Sequence, residues 1–275
     1  PLELISAAGF TAKRVWPEKI INRGQEMLPT DYCPYSRAFL SDVIKKENKI
    51  ILANSCDAMR RVYDTFNLKS MNQFLLQVPR KTSELYNNYF TRKLKNMVKF
   101  LESGGEKVSR EKLTKKIKEY NRCRMLLNEL RENLIKTCHQ SFSILIDGIS
   151  YYFKKEKESI KKLIEETDDE KEKGDFIGDK PRIVISSSCL LDVSLVKLVE
   201  KLGLNIVGLD SCLGERSFNY EIELKQTDSL DKIIKHLGIA YLNKATCPRM
   251  MEPEKRLSVI KELGFNRKAD GLIYF

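Results

Sequence analysis

Short apolar runs alternate with helix-like segments at both ends of the chain. Residues 50–54 and 73–78 are apolar runs of strand length, and residues 35–46 and 57–66 are predicted helices. A helix is also predicted over 2–8, closed by Gly9. Further strands are predicted over 11–16, 182–185, 205–209 and 271–275. Further helices are predicted over 195–202, 230–237 and 253–263, and each of these three helices is followed by a glycine. Strands that alternate with helices are typical of parallel sheets covered on both faces.

The middle of the chain, from residue 81 to about 166, lacks strand signals and is densely charged. Apolar residues recur there at helical spacings and form one stripe, which comprises Leu113, Ile117, Tyr120, Leu127, Leu130 and Leu134. Arg124 falls on this stripe and interrupts it, and Gly104 with Gly105 divides the region into at least two helices. The stripe predicts a helical layer packed on its neighbours. Few aromatic residues interleave with the lysines, which favours a solvated face over a nucleic-acid-binding helix.

These patterns predict an α/β protein with two parallel-sheet, flavodoxin/Rossmann-like domains linked by a helical segment. The predicted units are an N-terminal α/β domain over 1–80, a helical segment with a charged linker over 81–179, and a C-terminal α/β domain over 180–275. Residues 167–180 are charged and contain two glycines, which is typical of a linker. The last domain ends on a strand with no helix to cover it, so we expect it to be incomplete.

The basic composition indicates an anionic partner. The 275 residues include 49 lysines and arginines against 38 aspartates and glutamates, a net charge of +11. Such a surface suits nucleic acid, a membrane surface or a phosphorylated ligand. The apolar runs are too short to span a bilayer, and no secretion signal is visible. No G-x-x-x-x-G-K-[ST] motif occurs, which excludes an ATPase of the P-loop type.

Seven cysteines carry the candidate chemistry: Cys33, Cys56, Cys123, Cys138, Cys189, Cys212 and Cys247. Their odd number and the lack of a secretion signal argue against a disulfide framework and indicate free thiols in a reducing cytoplasm. Four of them, Cys33, Cys56, Cys212 and Cys247, lie near the carboxyl ends of predicted strands, where open α/β sheets bind ligands. Thiolates beside helix N-termini suit an iron–sulfur cluster, although small buried side chains would give the same pattern.

Several motifs then identify a family. In order along the chain they are "PLELISAAGF", "YCPYSRAFL", "NSCDAMRRVYD", "VPRKTSE", "DSCLGERSF", "CPRM" and "ADGLIYF". Together they closely resemble the 2-hydroxyacyl-CoA dehydratase and benzoyl-CoA reductase subunit family, of the 2-hydroxyglutaryl-CoA dehydratase D-component type, from Pro1 to Phe275. The resemblance implies a [4Fe–4S] cluster held by three cysteines, of which Cys33 and Cys56 match the first two.

The third ligand of the family normally follows the motif that "ADGLIYF" begins, so it is expected beyond Phe275. The resemblance therefore implies that the cluster is incomplete or absent in this 275-residue chain. Cys212 and Cys247 could supply extra ligands.

The resemblance also implies a reaction and partners. Members of the family dehydrate a 2-hydroxyacyl-CoA to an enoyl-CoA by radical chemistry, after one-electron reduction by a separate ATP-hydrolysing iron–sulfur activator. A homodimer, or a heterodimer with a related subunit, is expected. The alternatives are an ATP-driven double-cubane-cluster or benzoyl-CoA-type reductase, and a non-catalytic partner subunit. Without the resemblance, a basic nucleic-acid-binding protein would be the alternative, and a steep salt dependence would reveal it.

An acyl-CoA is expected in the cleft between the two α/β domains. Ser186, Ser187 and Ser188 follow a strand end, where backbone N–H groups and hydroxyls can meet a polar ligand. Arg216 follows Gly214, and its planar guanidinium suits a phosphate, although it could equally brace its own loop. Arg60, one turn after Cys56, could face the cluster or an anionic ligand, or could be ordinary surface charge.

Overall fold

The computed structural model describes residues 1–15, 28–29, 31–43, 49–137, 141–154, 156–171, 180–187, 193–244 and 250–274. Over these ranges the helices are α1 (Leu2–Ala7), α2 (Pro34–Val43), α3 (Asp57–Leu68), α4 (Glu84–Glu102), α5 (Arg110–Thr137), α6 (Ser143–Lys154), α7 (Lys157–Lys171), α8 (Ser194–Lys201), α9 (Leu230–Asn243) and α10 (Pro253–Asn266). The strands are β1 (Ile50–Ala53), β2 (Gln73–Leu76), β3 (Arg182–Ser186), β4 (Asn205–Asp210) and β5 (Gly271–Tyr274). None of these helices is long and apolar enough to cross a membrane.

Two parallel sheets lie at the two ends of the chain, which confirms that part of the predicted fold. β1 pairs with β2, and Ile50 lies opposite Gln73. The second sheet has the order β4-β3-β5, with both pairs parallel. The α3 and α8 helices provide the crossover connections that adjacent parallel strands require. The limits of the domains at residues 80 and 180, and their flavodoxin-like character, stay predictions.

The predicted stripe on α5 is confirmed, since each of its six apolar residues is at most 2% exposed. The stripe serves two apolar cores. Leu113 and Ile117, near the start of the helix, pack in the core formed with α1, α4 and α9. Leu127 and Leu130, further along, pack in the core formed with α6, α7 and the β3–β4 sheet. A third, smaller core joins α2 and α3 to β1.

The predicted strand over residues 11–16 is wrong for the described residues 11–15, which form no regular element. This segment contacts helices instead. The guanidinium of Arg14 lies 5.0 Å from the ring centre of Phe153, and the carbonyl of Val15 accepts a hydrogen bond of 3.3 Å from the hydroxyl of Tyr35. A strand requires a partner edge, and local β propensity does not supply one.

Three predicted ends of elements are also wrong. The α7 helix continues to Lys171, five residues into the predicted linker, and residues 172–179 lie outside the described chain. The α9 and α10 helices continue through Gly238 and Gly264. Gly238 faces α4, where an added Cβ would lie 3.2 Å from Leu94 Cδ1. Here glycine permits close helix packing, whereas Gly9, with φ of +84°, ends α1 as predicted.

Two helical glycines provide a matched test of this packing. An added Cβ at Gly148, in α6, would lie 2.9 Å from Leu130 Cδ2 and 3.0 Å from Leu127 Cδ2, whereas one at Gly264 would meet nothing within 4 Å. We expect Gly148→Ala to lower the free energy of unfolding by about 1–3 kcal/mol because the buried leucines have little room to move. Gly264→Ala should raise it by about 0.5–1 kcal/mol through helix propensity. Urea unfolding of both variants measures the difference, and a stabilised Gly148→Ala variant would contradict the packing described.

Candidate functional site

The first candidate site lies after the carboxyl end of β1. The side chain of Asn54 fixes this turn, because its Oδ1 accepts a hydrogen bond of 2.7 Å from the backbone N–H of Val78. Cys56 is the N-cap residue of α3, in extended conformation, and its side chain makes no capping hydrogen bond. The Cys56 thiol is partly exposed. It therefore lies at a helix N-terminus, as the sequence predicted, where the first backbone N–H groups of the helix are available to a ligand.

Cys33 occupies an equivalent position directly before α2. It is exposed, and its carbonyl accepts a hydrogen bond of 3.2 Å from the N–H of Arg37 in the first turn. The starts of α2 and α3 are neighbours, because Ser36 Oγ lies 3.7 Å from Met59 Sδ. The structure thus brings the two thiol-bearing helix starts to the same part of the molecule.

This donor set fits part of a cluster site. Two uncrosslinked thiols at adjacent helix starts suit two iron ligands. Over the ranges that the structure describes, however, no three His, Cys, Asp or Glu residues come together as a metal site. Cys247, Cys189 and Cys138 lie outside those ranges, and Cys123 is a buried packing residue, as predicted.

The two arginines that follow Cys56 differ in their contacts. Arg61 pairs on the surface with Asp64 at 2.7 Å and with Asp57 at 3.7 Å. Arg60 is also exposed but makes no ion pair with any residue that the structure describes. Of the two guanidinium groups, that of Arg60 is therefore the one that can bind an anionic ligand without first leaving a carboxylate of the described residues.

The second candidate site lies at the carboxyl ends of β3 and β4. Ser186 Oγ donates a hydrogen bond of 2.8 Å to Asp210 Oδ2, so the last residues of the two strands are joined. Arg216 is almost fully buried beside them. Its Nε contacts Asp210 Oδ1 at 2.5 Å, and its Nη2 donates to the carbonyl oxygens of Ser187 at 2.6 Å and Asp210 at 2.7 Å.

These bonds use most of the donors of Arg216 within the protein, so the arginine braces its loop. Its remaining nitrogen, Nη1, lies 3.6 Å from the sulfur of Cys212, which is partly exposed. Gly214 is required in this loop, since an added Cβ would lie 2.4 Å from the carbonyl oxygen of Leu209. The hydroxyl of Ser187 is buried and has no hydrogen-bond partner among the described residues, and Ser188 lies outside them.

The start of α10 contacts the segment that follows β2. Glu252, its N-cap residue, accepts hydrogen bonds of 3.0 Å from both the N–H and the hydroxyl of Thr82. Lys255, one turn along, pairs with Glu252 and donates to the Thr82 hydroxyl at 2.7 Å. The Lys255 ammonium and the bonds from Thr82 lower the pKa of Glu252 to about 2, so this carboxylate is ionised at neutral pH.

The same first turns of α10 also reach the second sheet. Arg256 Nη2 donates to Ser186 Oγ at 2.9 Å and lies 3.3 Å from Asp210 Oδ2. A single helix start thus contacts the carboxyl edge of β3 and β4 and the segment leaving β2. Sequence reasoning missed Glu252 and Arg256, because no local pattern marks partners that lie 70 to 170 residues away.

A buried ion network, also missed, holds the other end of α10. Arg267 follows the helix and donates to both carboxylate oxygens of Glu215, at 2.7 and 2.6 Å. Arg131 of α5 donates to the same carboxylate at 3.2 Å, and the N–H of Leu209 in β4 donates at 2.8 Å. Burial alone would raise the pKa of Glu215, but the bonds from Arg267 and the nearby Arg131 charge hold it below its usual value.

A second buried pair explains the charge on the apolar stripe of α5. Arg124 is 2% exposed and bonds to the carboxylate of Glu3, which is fully buried in α1. Tyr241 donates to the other oxygen of Glu3 at 2.9 Å, and the Arg124 guanidinium lies 4.4 Å from the ring centre of Tyr220. Burial opposes the charge on Glu3, but Arg124 lowers its pKa overall. The interruption in the stripe is therefore a structural ion pair.

A large cleft adjoins these networks. It has a volume of about 1480 Å³ and lies between α5, residues 219–225, α9 and α10. Lys244, which ends α9, lines it together with Tyr220. The Lys244 ammonium lies 5.0 Å from the ring centre of Tyr241 and 5.5 Å from that of Tyr220. Burial, and then the charge of Arg14, lower the pKa of Lys244 to about 8.

Comparisons with known proteins agree with the motifs. The family model of the 2-hydroxyglutaryl-CoA dehydratase D-component matches residues 1–275, the whole chain. The chain is also similar to the beta subunit of (R)-phenyllactyl-CoA dehydratase from Clostridium sporogenes. The two are 25% identical over an alignment of length 294, which covers 100% of this chain and 75% of that subunit.

The network around Glu215 generates a prediction about stability. Glu215→Gln removes a buried charge that faces two arginines, so we expect the free energy of unfolding to fall by about 3–5 kcal/mol. Glu158→Gln, at an exposed carboxylate that pairs with Lys161 at 3.1 Å, is the control and should change little. Chemical denaturation of both variants at pH 7 makes the comparison, and equal stabilities would contradict the role assigned to Glu215.

The ionised Glu215 carboxylate makes the stability of the protein fall in acid. The folded-state pKa of Glu215 is below its unfolded value, so its contribution is present above the unfolded value of about 4.3 and is lost as the pH falls further. We expect Glu215→Gln to weaken the loss of stability that acid causes, as measured by denaturation midpoints between pH 7 and pH 3. A variant whose midpoints fall as steeply as those of the wild type would exclude this contribution.

Proposed function

Because the chain belongs to the 2-hydroxyglutaryl-CoA dehydratase D-component family, we propose that it is an iron–sulfur subunit of a 2-hydroxyacyl-CoA dehydratase. The proposed reaction removes water from a 2-hydroxyacyl-CoA to give an enoyl-CoA. The observation that carries the proposal is the placement of Cys33 and Cys56 at neighbouring helix starts. The resemblance to a subunit of a phenyllactyl-CoA dehydratase supports the same class of reaction.

Cys33 and Cys56 would hold a [4Fe–4S] cluster together with a further ligand. When bound, a cluster with three thiolate ligands supplies one-electron chemistry and an iron open to a substrate oxygen. The chain itself contributes the starts of α2 and α3, whose first backbone N–H groups could hydrogen-bond to the sulfides of the cluster. Arg60 offers a positive charge one turn after Cys56, where it could contact an anionic substrate group.

The acyl-CoA would lie between the carboxyl edges of the two sheets. Ser187 would present its hydroxyl, which has no hydrogen-bond partner among the described residues. The Ser186 hydroxyl already bonds to Asp210 and Arg256, so Ser186 would shape the site rather than contact the ligand through its hydroxyl, and Ser188 would follow as predicted. Arg216 would hold the loop of Cys212 in place. Support comes from α10, whose first turns contact both Thr82 and the Ser186–Asp210 pair. The two edges therefore flank one region, to which different parts of a single substrate could bind.

The proposal includes two protein partners. An ATP-hydrolysing iron–sulfur activator would deliver the electron, and a second subunit, identical or related, would complete the enzyme. The relative from Clostridium sporogenes is described as a beta subunit, which supports pairing with a related chain.

A second function stays open because of Cys212. Its sulfur is partly exposed, lies near the carboxyl end of β4 and is 3.6 Å from the Arg216 guanidinium, which would stabilise a thiolate. With Cys247 it could supply the extra ligands of an ATP-driven double-cubane-type reductase, whereas a benzoyl-CoA-type reductase would need only the first cluster.

Cysteine variants test the cluster. In a protein that also carries the expected third ligand, we expect bound iron and sulfide after anaerobic reconstitution, and we expect Cys33→Ser and Cys56→Ser to lose most of both because each removes a ligand; in the 275 residues alone we expect little or no bound cluster. Cys123→Ser is the matched control, since this thiol is buried in the helical core away from both helix starts. Iron and sulfide analysis with visible absorption makes the measurement. Equal iron in wild type and Cys56→Ser would exclude the assigned ligands.

Turnover separates the proposed reactions. The protein would be reduced anaerobically with its activator and ATP, with and without a related subunit, and offered 2-hydroxyacyl-CoAs, benzoyl-CoA and acetylene. We expect enoyl-CoA from the first group. Dienoyl-CoA from benzoyl-CoA or ethylene from acetylene would indicate a reductase instead. Turnover only after the related subunit is added would identify half of a heteromeric enzyme, and no turnover under any condition would remove the support for this function.

A further inference from the structure

The α10 helix forms one wall of the large cleft, yet no residue of the helix is buried. Val259 and Leu263, one turn apart, place apolar side chains on this wall. Ile239 and Ala240 of α9 line the same cleft and are likewise only partly buried. The cleft therefore separates two apolar surfaces, which would exclude water if α10 moved towards α9.

The C-terminal end of α10 is held firmly. The side chain of Arg267, only 10% exposed, bonds to both oxygens of the Glu215 carboxylate, which is 3% exposed. The same guanidinium donates to the carbonyl oxygen of Val207 at 2.6 Å. In addition, the carbonyl oxygen of Arg267 accepts a hydrogen bond of 2.9 Å from Arg182 in β3. Separation of Arg267 from these partners would leave buried charge poorly compensated, which is costly.

The N-terminal end of α10 is held less firmly, by contacts with the segment that follows β2. Glu252 accepts hydrogen bonds from Thr82 and pairs with Lys255, but the side chains of Glu252 and Lys255 are 23% and 55% exposed. The backbone N–H of Met251 also donates to the carbonyl oxygen of Arg80 at 2.9 Å. Partly exposed ion pairs add little stability, because water replaces them readily. These contacts with Arg80 and Thr82 form a latch.

Arg256 provides a further contact at this end, and it bonds to groups that already have other partners. It donates to Ser186 Oγ at 2.9 Å and lies 3.3 Å from Asp210 Oδ2. Ser186 and Asp210 are bonded to each other, and Asp210 also pairs with Arg216. If Arg256 moved away, the buried Asp210 carboxylate would keep its pairing with Arg216. Release of the N-terminal end of α10 is therefore less costly than release of the C-terminal end.

We propose that α10 is a gate over the region between the two strand edges. Its N-terminal half swings about the bonds of Arg267 with Glu215, between the observed position and one packed into the cleft, where Val259 and Leu263 contact α9. In the observed position α10 joins the carboxyl edges of the two sheets, and in the other it frees the space between them. The swing itself does not depend on the proposed function, whereas the role of α10 as a gate for an acyl-CoA rests on it.

Amide hydrogen exchange tests the proposal, because backbone N–H groups report on both ends of α10. The N–H groups of Thr82 and Met251 donate in the latch, at 3.0 and 2.9 Å. Those of Leu209 and Asp270 donate in bonds of 2.8 Å at the firmly held end. By NMR of the whole chain, we expect the two latch groups to exchange at least about tenfold faster than the other two, because the latch opens without global unfolding.

Substitutions within α10 separate a swing of the helix from fraying of its end. Arg256→Ala removes one contact of the N-terminal end and should speed exchange of both latch groups by about fivefold, without changing Leu209 or Asp270. Val259→Asn places a polar side chain on the surface that would pack against α9, so it should slow latch exchange by about threefold. Fraying would give the opposite result, because asparagine lowers helix propensity. Lys261→Ala, at an exposed position of the same helix, is the control and should change neither pair of groups.

Equal exchange at the two ends of α10, or faster latch exchange in Val259→Asn, would overturn the swing and leave the proposed function standing. Arg256→Ala that speeds all four groups alike would also overturn it, since that result would show only global destabilisation. The role of the gate has a separate measurement, because a 2-hydroxyacyl-CoA bound between the strand edges should slow exchange of Thr82 and Met251 in the wild type. If the variants behave as expected but this ligand has no effect, the swing stands and the substrate region assigned under the proposed function is wrong.

Discussion

One buried carboxylate, that of Glu215, joins the parts of the molecule that frame the candidate sites. It accepts hydrogen bonds from Arg131 in α5, from Arg267 at the end of α10 and from the backbone of Leu209 in β4. The α10 helix has no buried residue, so apolar packing does little to fix its position. Polar bonds at its two ends hold it instead, and the width of the cleft and the contact between the two strand edges depend on them.

Holding a helix in this way has a physical consequence. Taking charges out of water is costly, and their attraction inside the protein returns little more than that cost, so buried ion networks add little net stability. They do require specific partners in specific places, because an unpaired buried charge is strongly unfavourable. The same reasoning applies to Glu3 and Arg124, which join α1 to α5. In both places the charges determine which arrangement the helices adopt.

The sequence predicted the parts of this structure that local pattern controls. Short apolar runs predicted each of the five strands found in the described residues, the spacing of apolar residues predicted the α5 stripe, and the residues around Cys56 predicted its position at a helix start. The sequence could not predict features that depend on contacts with residues far away along the chain. Gly238 was predicted to end a helix, because its role in packing against α4 appears only when the two helices meet. Likewise, nothing near Arg256 in the chain indicates that it bonds to Ser186 and Asp210.

The α5 helix has 28 residues and is therefore about 42 Å long. Its buried side chains belong first to the core that includes α1, α4 and α9 and then to the core that includes α6, α7 and the β3–β4 sheet. Neither core can lose this helix without exposing apolar surface of the other. The two cores should therefore unfold as one cooperative unit. The slowest amide hydrogen exchange should be found in the middle of α5, between the part of the helix that packs in the first core and the part that packs in the second.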